Sequence, residues 1–341
     1  MTGQMTSSDH KEEKTMGYET KNRWHDIFDK AEAAVQLSRE DALQLLTIEN
    51  GSREYYALLE LANRDSRRRF EKRGYIFAQI GIEASPCPAN CAFCSLAEDV
   101  FDTKNSFIMP VAAAEKLTEQ LIEAGTDELF LMTTASYDRE EFLAYGAAVK
   151  KHLPDSVRFV ANVGDFDYAY AVRLKETGFT GVYHICRLGE GTDTRLDPRQ
   201  RIRTLDAVRD AGLEVYYCVE PIGPEHTPEE IVGEIFRASE YPVKVMAVMK
   251  RICVPGTKLY SRGEISAAQL AKICAVTSLC VRPERAMGVH EPDELCLMAG
   301  ANQIYAEVSV NPRDRDLQTE RSRGASMAHA EQLLRTTEWQ R

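Results

Sequence analysis

The stretch YIFAQIGIEASPCPANCAFC (residues 75–94) decides the fold of this chain. Its apolar first half is typical of a buried strand, and the loop that follows carries Cys87, Cys91 and Cys94 in the spacing C-x3-C-x2-C. No fourth cysteine stands nearby in the sequence. Zinc sites usually close with four protein ligands, and disulfides need pairs. The three thiols therefore indicate a site whose fourth position is filled by something other than a neighbouring cysteine.

Downstream of this stretch, short apolar segments alternate with longer amphipathic ones, which predicts βαβ units and a parallel sheet. Eight strands in one region predict an α/β fold, a closed (β/α)8 barrel of the TIM type, although a partial barrel of six strands fits almost as well. The loop with the three cysteines would then lie at the C-terminal mouth of the barrel. The seven further predicted strands are ELFLMT (128–133), VRFVAN (157–162), GVYHIC (181–186), LEVYYCV (213–219), VKVMAVM (243–249), RAMGV (285–289) and NQIYAE (302–307).

The rest of the chain divides around this barrel. We expect a flexible polar tail over 1–18, helices over 19–73 that pack on the barrel, the barrel over 74–320, and a C-terminal helix or tail over 321–341. Ser38 is the predicted N-cap of the second helix.

Composition narrows the classes of function. The net charge of −11 and pI near 5.3 argue against a broad nucleic-acid-binding surface. No segment approaches the roughly 20 apolar residues of a membrane-spanning helix. A polar N-terminus without a signal-peptide core predicts a cytoplasmic protein, and in that reducing compartment nine cysteines favour metal binding or catalysis over disulfides.

Three thiolates can hold three irons of a 4Fe–4S cluster and leave the fourth iron open, with Phe93 shielding it from water. In spacing and aromatic residue the loop resembles the radical S-adenosylmethionine (SAM) superfamily. The resemblance implies that SAM chelates the open iron through its amino and carboxylate groups and is cleaved to methionine and a 5′-deoxyadenosyl radical. A zinc site with a distant fourth ligand, on a non-catalytic scaffold, stays open as an alternative.

By the same resemblance, polar residues at the strand ends are candidates for binding SAM. Thr133, Thr134 and Ser136 end the second strand, where they could instead cap it. After the fourth strand, Arg187 suits the SAM carboxylate and Glu190 suits ribose hydroxyls or a substrate amine, unless the two form a surface ion pair.

Three further residues complete the expected pocket. Asp193 matches an aspartate near the SAM ribose. Asn162 and His184 are candidate substrate ligands because amide and imidazole groups could bind a ureido ring. For His184, a structural histidine with satisfied hydrogen bonds is an equal alternative.

The C-terminal third narrows the resemblance to the biotin synthase family. PERAMGVHEPDELCLMAGANQIY (283–305), KRICVPGTKL (250–259) and NPRDRDLQ (311–318) are similar to that family in order and content. This implies conversion of dethiobiotin to biotin with sulfide from an auxiliary iron–sulfur cluster, an electron donor of the flavodoxin or ferredoxin type, and a homodimer. Hydrogenase-cofactor maturases, methylornithine synthase and a biotin-synthase-like lipoyl synthase share parts of the pattern and are the alternatives.

The chain departs from this family at the auxiliary cluster, which the resemblance places on three cysteines and one arginine. Arg285 matches the arginine, but Leu131 and Val160 stand where two of the cysteines would be. The usual ligand set is therefore incomplete.

Cysteines on other strands offer a replacement. Cys186, Cys218 and Cys253 lie at or after the ends of three consecutive predicted strands, so they could converge in the barrel mouth and hold an auxiliary cluster of the four-iron type. With Arg285 they are the predicted sulfur-donating set. Ordinary buried cysteines are the alternative.

Overall fold

The computed structural model describes residues 24–290, 293–308 and 326–341. Within them, eight parallel strands close into a barrel in the order β1-β10-β9-β8-β7-β6-β5-β4, which confirms the predicted TIM-type fold. A short antiparallel pair, β2 and β3, lies outside it. The strands are β1 (Tyr75–Gly81), β2 (Glu83–Ala84), β3 (Phe107–Ile108), β4 (Glu128–Met132), β5 (Arg158–Asn162), β6 (Gly181–Tyr183), β7 (Glu214–Ile222), β8 (Val243–Lys250), β9 (Ala286–Val289) and β10 (Gln303–Val308).

Helices surround the barrel and cover its lower end. The predicted cap of α2 is confirmed, since Ser38 and Asp41 form a capping box at its N-terminus. The helices are α1 (24–32), α2 (Arg39–Leu46), α3 (Arg53–Arg69), α4 (Val111–Glu123), α5 (Arg139–Lys150), α6 (Tyr168–Thr177), α7 (Pro198–Asp210), α8 (Pro228–Ala238), α9 (Ala267–Val281), α10 (Glu294–Leu297) and α11 (Met327–Thr336).

Both ends of the chain pack on the barrel. Helix α3 lies against α9, and α11 lies against β1 and β10. The segment after α11 is fixed by hydrogen bonds, because Gln340 O accepts from Gly74 N–H (2.7 Å) and Trp339 Nε1 donates to Leu297 O (3.2 Å). The predicted tail over 1–18 and the NPRDRDLQ segment lie outside the described residues.

An aromatic layer fills the lower interior of the barrel. The rings of Phe77 and Phe130 stack on each other, and both meet the rings of Tyr216 and Tyr305 edge-on, with centroids 5.4–6.5 Å apart. All four side chains are buried. This layer closes the barrel from below, so that space for a ligand remains at the C-terminal ends of the strands.

None of the described helices combines the length and the apolar character needed to span a membrane.

Candidate active site

The loop after β1 folds back on itself and turns its three cysteines together. The Cys87 N–H donates to Leu96 O (2.8 Å), and the Cys94 N–H donates to Cys91 O (3.0 Å). Asn90 adopts a left-handed φ of 45°, which asparagine tolerates better than most residues. The loop is thus a compact turn shaped by its own backbone.

Neighbouring loops hold this turn against the barrel. Ala92 donates its N–H to Asp193 O (2.8 Å), and Ala92 O accepts from Leu259 N–H (3.0 Å). Arg195 donates its N–H to Ala89 O (2.8 Å). The predicted ribose ligand Asp193 therefore serves the site through its backbone, and its side chain is not among those that line the cavity described next.

Cys87, Cys91 and Cys94 line one cavity at the mouth of the barrel, together with Phe93. Burial raises the pKa of Cys91 to about 12 although Arg187 counteracts it, and burial also raises the pKa of Cys87. Metal binding must therefore displace the thiol protons.

The donor set fits a cluster with one open iron. Three thiols and an aromatic ring face the same cavity, and the Leu96 N–H points at Cys94 Sγ (3.4 Å), as amides that tune a cluster sulfur do.

The end of β4 brings Thr133 and Thr134 to this cavity. Their hydroxyl oxygens are buried and have no hydrogen-bond partner among the described residues, so both can bind a ligand. Ser136 is exposed and outside the cavity, because the chain has already turned towards α5. Asn162, at the end of β5, lines the cavity as expected.

Arg187 lies at the centre of a buried charge network rather than in a surface pair. Its Nε is 3.2 Å from Glu220 Oε1 and its Nη1 is 3.7 Å from Glu190 Oε2. Burial alone would lower the pKa of Arg187, but the two carboxylates outweigh it and raise the pKa, so the guanidinium stays charged. Glu190 itself does not line the cavity and is held by Thr194 Oγ1 (2.6 Å).

His184 is not among the residues that line the cavity. Its Nε2 lies 3.2 Å from Asp165 Oδ1, and the side chain is fully buried among helix-facing residues. Burial, with Arg201 nearby, lowers the pKa of His184 to about 3, so the imidazole is neutral. It is a structural residue behind the strand.

Arg285 lies at the opposite end of the barrel from the cysteine loop. It precedes β9, and its guanidinium donates to Glu128 Oε1 (2.9 Å), Glu214 Oε1 (2.7 Å) and Tyr216 OH (2.7 Å). Because Glu128 and Glu214 begin their strands, this network forms the floor of the barrel. Arg285 is not among the residues that line the cavity.

The three strand-end cysteines do not come together. The Cys186 N–H donates to Tyr217 OH (3.4 Å), which donates to Glu234 of α8 (2.8 Å), and Glu234 adds to burial in raising the pKa of the Cys186 thiol to about 11. Cys186 thus faces the helix layer. Cys253 is half-buried in the loop after β8.

Cys218 alone of these three faces the barrel interior. Alternate residues of a strand face opposite sides, so Tyr217 points to α8 while Cys218 and Glu220 point inwards. The convergence expected of Cys186, Cys218 and Cys253 is therefore not found in the structure.

Sequence reasoning missed the residues around Cys218. Glu220, Tyr183 and His290 line the cavity beside it, and Tyr183 OH donates to Glu220 Oε2 (2.8 Å). The period-two alternation of β7 was the available signal for Glu220.

No protein-family model matches the chain. Among curated proteins, the biotin synthase of Methylobacterium nodulans is 28% identical over 282 residues, which are 74% of this chain and 83% of that protein. The biotin synthase of Chlorobaculum tepidum is 24% identical over 327 residues, 88% of this chain and 97% of that protein. Together with the barrel and the three-cysteine loop, these matches confirm the resemblance seen in the sequence. The chain is therefore similar to the biotin synthases of the radical SAM superfamily.

Solved structures agree on the fold. Methylornithine synthase aligns with a TM-score of 0.76 at 19% identity, over 91% of this chain and 95% of that one. The FeFe-hydrogenase maturase HydG from Carboxydothermus hydrogenoformans aligns with a TM-score of 0.75 at 15% identity, over 96% of this chain and 80% of that one. At these identities the likeness concerns the barrel alone.

Proposed function

We propose that Cys87, Cys91 and Cys94 hold a 4Fe–4S cluster and that the cavity beside them binds SAM and a small substrate. The observation that carries this proposal is that all three thiols line one cavity at the C-terminal mouth of the barrel. When bound, the cluster supplies the electron that splits SAM into methionine and a 5′-deoxyadenosyl radical, which abstracts a hydrogen atom from the substrate.

The residues of the chain orient and shelter this reaction. Thr133 and Thr134 can bind the SAM amine through their buried hydroxyl groups, and the charged guanidinium of Arg187 can pair with the SAM carboxylate. Phe93 and the aromatic layer below keep water from the cavity. Asn162, which also lines the cavity, remains for a polar group of the substrate.

Our first candidate substrate is dethiobiotin, with sulfur inserted to form biotin. Support for it comes from the curated relatives, which are biotin synthases aligned over most of their length. Sulfur insertion needs an auxiliary iron–sulfur cluster inside the barrel, and Cys218 is the thiol placed to bind one.

A second candidate is a radical SAM reaction without sulfur insertion, on another small polar substrate. The orientation of Cys186 favours it, because a thiol that faces α8 beside Glu234 does not reach a cluster held by Cys218. Such an enzyme needs the cluster of the β1 loop alone.

Anaerobic incubation of the reconstituted chain with SAM, a reductant and dethiobiotin separates the two. Biotin, with about eight irons per chain, supports sulfur insertion. Deoxyadenosine without biotin, with about four irons per chain, supports the second candidate. The matched variants are C218S, which would lower the iron content only if an auxiliary cluster exists, and C186S, which would leave it unchanged in either case.

A further inference from the structure

The interior of the barrel holds three side chains of metal-binding type beside the SAM cavity. Cys218 Sγ, a carboxylate oxygen of Glu220 and a ring nitrogen of His290 all lie within 4.8 Å of one another. Ligand atoms on one tetrahedral zinc ion lie roughly 3.3–3.8 Å apart, so closing them onto an ion needs movements of about 1 Å or less.

These three atoms are brought together by the fold. Cys218 and Glu220 are two residues apart on β7 and share its inner face, whereas His290 directly follows β9. The His290 ring stacks on Tyr305 with centroids 4.0 Å apart, which fixes its plane. Each ligand is thus carried by the barrel itself rather than by a separate loop.

Outer partners orient the carboxylate as they do at known metal sites. Tyr183 OH donates to Glu220 Oε2 (2.8 Å), and Arg187 Nε lies 3.2 Å from Glu220 Oε1. Carboxylate ligands of metals are themselves hydrogen-bonded in this way. Arg187 does not leave the site with excess positive charge, because Glu190 lies on its other side.

We propose that Cys218, Glu220 and His290 bind one divalent transition-metal ion, with Zn²⁺ the best match to this ligand set. A thiolate and a carboxylate balance the charge of the ion, and three protein ligands leave a fourth position open, as in catalytic zinc sites. Glu220 and His290 line the cavity, so the open position faces it and can take a polar group of the substrate. The site is separate from the thiols of the β1 loop, and its existence does not depend on SAM cleavage. Because the Cys218 thiolate cannot serve both metals, a zinc ion here excludes an auxiliary iron–sulfur cluster on Cys218, so the inference goes with the second candidate function.

For the test, the iron–sulfur cluster of the full chain is first reconstituted anaerobically. The protein is then loaded with Zn²⁺, and the excess Zn²⁺ is removed. Metal analysis should give about one zinc per chain. Zinc X-ray absorption should show a single sulfur neighbour at about 2.3 Å, the rest being nitrogen or oxygen. Failure to retain zinc, or a zinc with two or more sulfur neighbours, would overturn the proposal, and in the latter case the metal sits on the β1 loop.

Variants assign the ligands. C218S and H290Q should each weaken zinc binding at least tenfold, and Y183F, which removes the hydroxyl group that donates to Glu220 and leaves Arg187 in place, should weaken it by about 10-fold. C186S, a buried thiol on the helix side, is the control and should bind zinc like the parent chain. Equal zinc affinity in C218S and C186S, both checked for folding by circular dichroism, would contradict the assignment.

Discussion

At the scale of single residues, burial has opposite consequences at the two ends of the barrel. Near the mouth, Arg187 has two carboxylates within 4 Å and keeps its charge. At the floor, Glu128 is almost wholly enclosed, and burial raises its pKa to about 7 although Arg285 lies beside it. The floor therefore carries a carboxyl group that titrates near neutral pH.

Glu128 predicts a pH dependence of stability. Glu128 has a pKa of about 7 in the folded chain against a usual value of 4.5. The contribution of protonated Glu128 to the free energy of unfolding is therefore complete below pH 4.5 and is lost as the pH rises through 7. The loss amounts to at most about 3 kcal/mol. We expect the free energy of unfolding of the parent chain to fall over this window relative to E128Q, whose amide does not titrate.

Urea unfolding of both proteins from pH 5 to pH 8 measures the difference. The free energy of unfolding should fall more steeply with pH in the parent chain than in E128Q, whatever the absolute stability of the variant. Parallel curves would show that Glu128 is ionised throughout and that the floor does not titrate.

At the scale of secondary-structure elements, the site is made by strand ends and the short loops after them. The loops after β4 and β5 approach closely where Gly164 passes Ala135, and both residues line the cavity. A Cβ on Gly164 would lie 2.1 Å from Ala135 O. The close contact sets the width of the cavity on this side.

We predict that G164A destabilises the protein by about 1–3 kcal/mol, the usual cost of overpacking, and weakens SAM binding by moving Thr133 and Thr134. The matched control is G233A on α8, where an added Cβ meets nothing within 4 Å. There the change should stabilise the helix by about 0.5–1 kcal/mol. Thermal unfolding and SAM titration measure both effects, and a G164A protein that binds SAM like G233A would refute this role of the contact.

The secondary-structure elements also show how much of the fold could be predicted from the sequence. All eight strands of the barrel were predicted, because each is a short apolar run between helical patterns, and the cysteine loop followed from its spacing. The direction in which the Cys186 side chain points could not be predicted in the same way. The pattern GVYHIC suggests one strand, but β6 ends at Tyr183, so the alternation of faces does not extend to Cys186.

The positions of His184 and Arg285 in the fold could not be predicted from the sequence, for related reasons. His184 also lies beyond the end of β6, and the structure turns it to Asp165. Arg285 precedes its strand, which puts it at the floor, whereas catalytic groups of such barrels sit at the other end. Which end and which face a residue occupies depends on strand register, and composition does not reveal it.

At the scale of the whole molecule, the residues that stabilise the barrel lie at one end of it and the residues of the candidate site lie at the other. The aromatic layer, the floor network and the terminal helices close the lower end, while the thiols, the hydroxyl groups and the inner group around Cys218 share the cavity above. A radical formed there is enclosed on all sides except the mouth, which the cysteine loop borders. We propose this loop as the site of SAM cleavage.

The direct measurement is deoxyadenosine production by the anaerobically reconstituted chain with SAM and a strong reductant, in the parent protein, in C91A and in C186A. We predict deoxyadenosine from the parent and from C186A, and none from C91A, because Cys91 is one of the three thiols that line the cavity and Cys186 faces α8. Deoxyadenosine from C91A at the parent rate, or none from a parent chain loaded with iron and sulfide, would contradict the account.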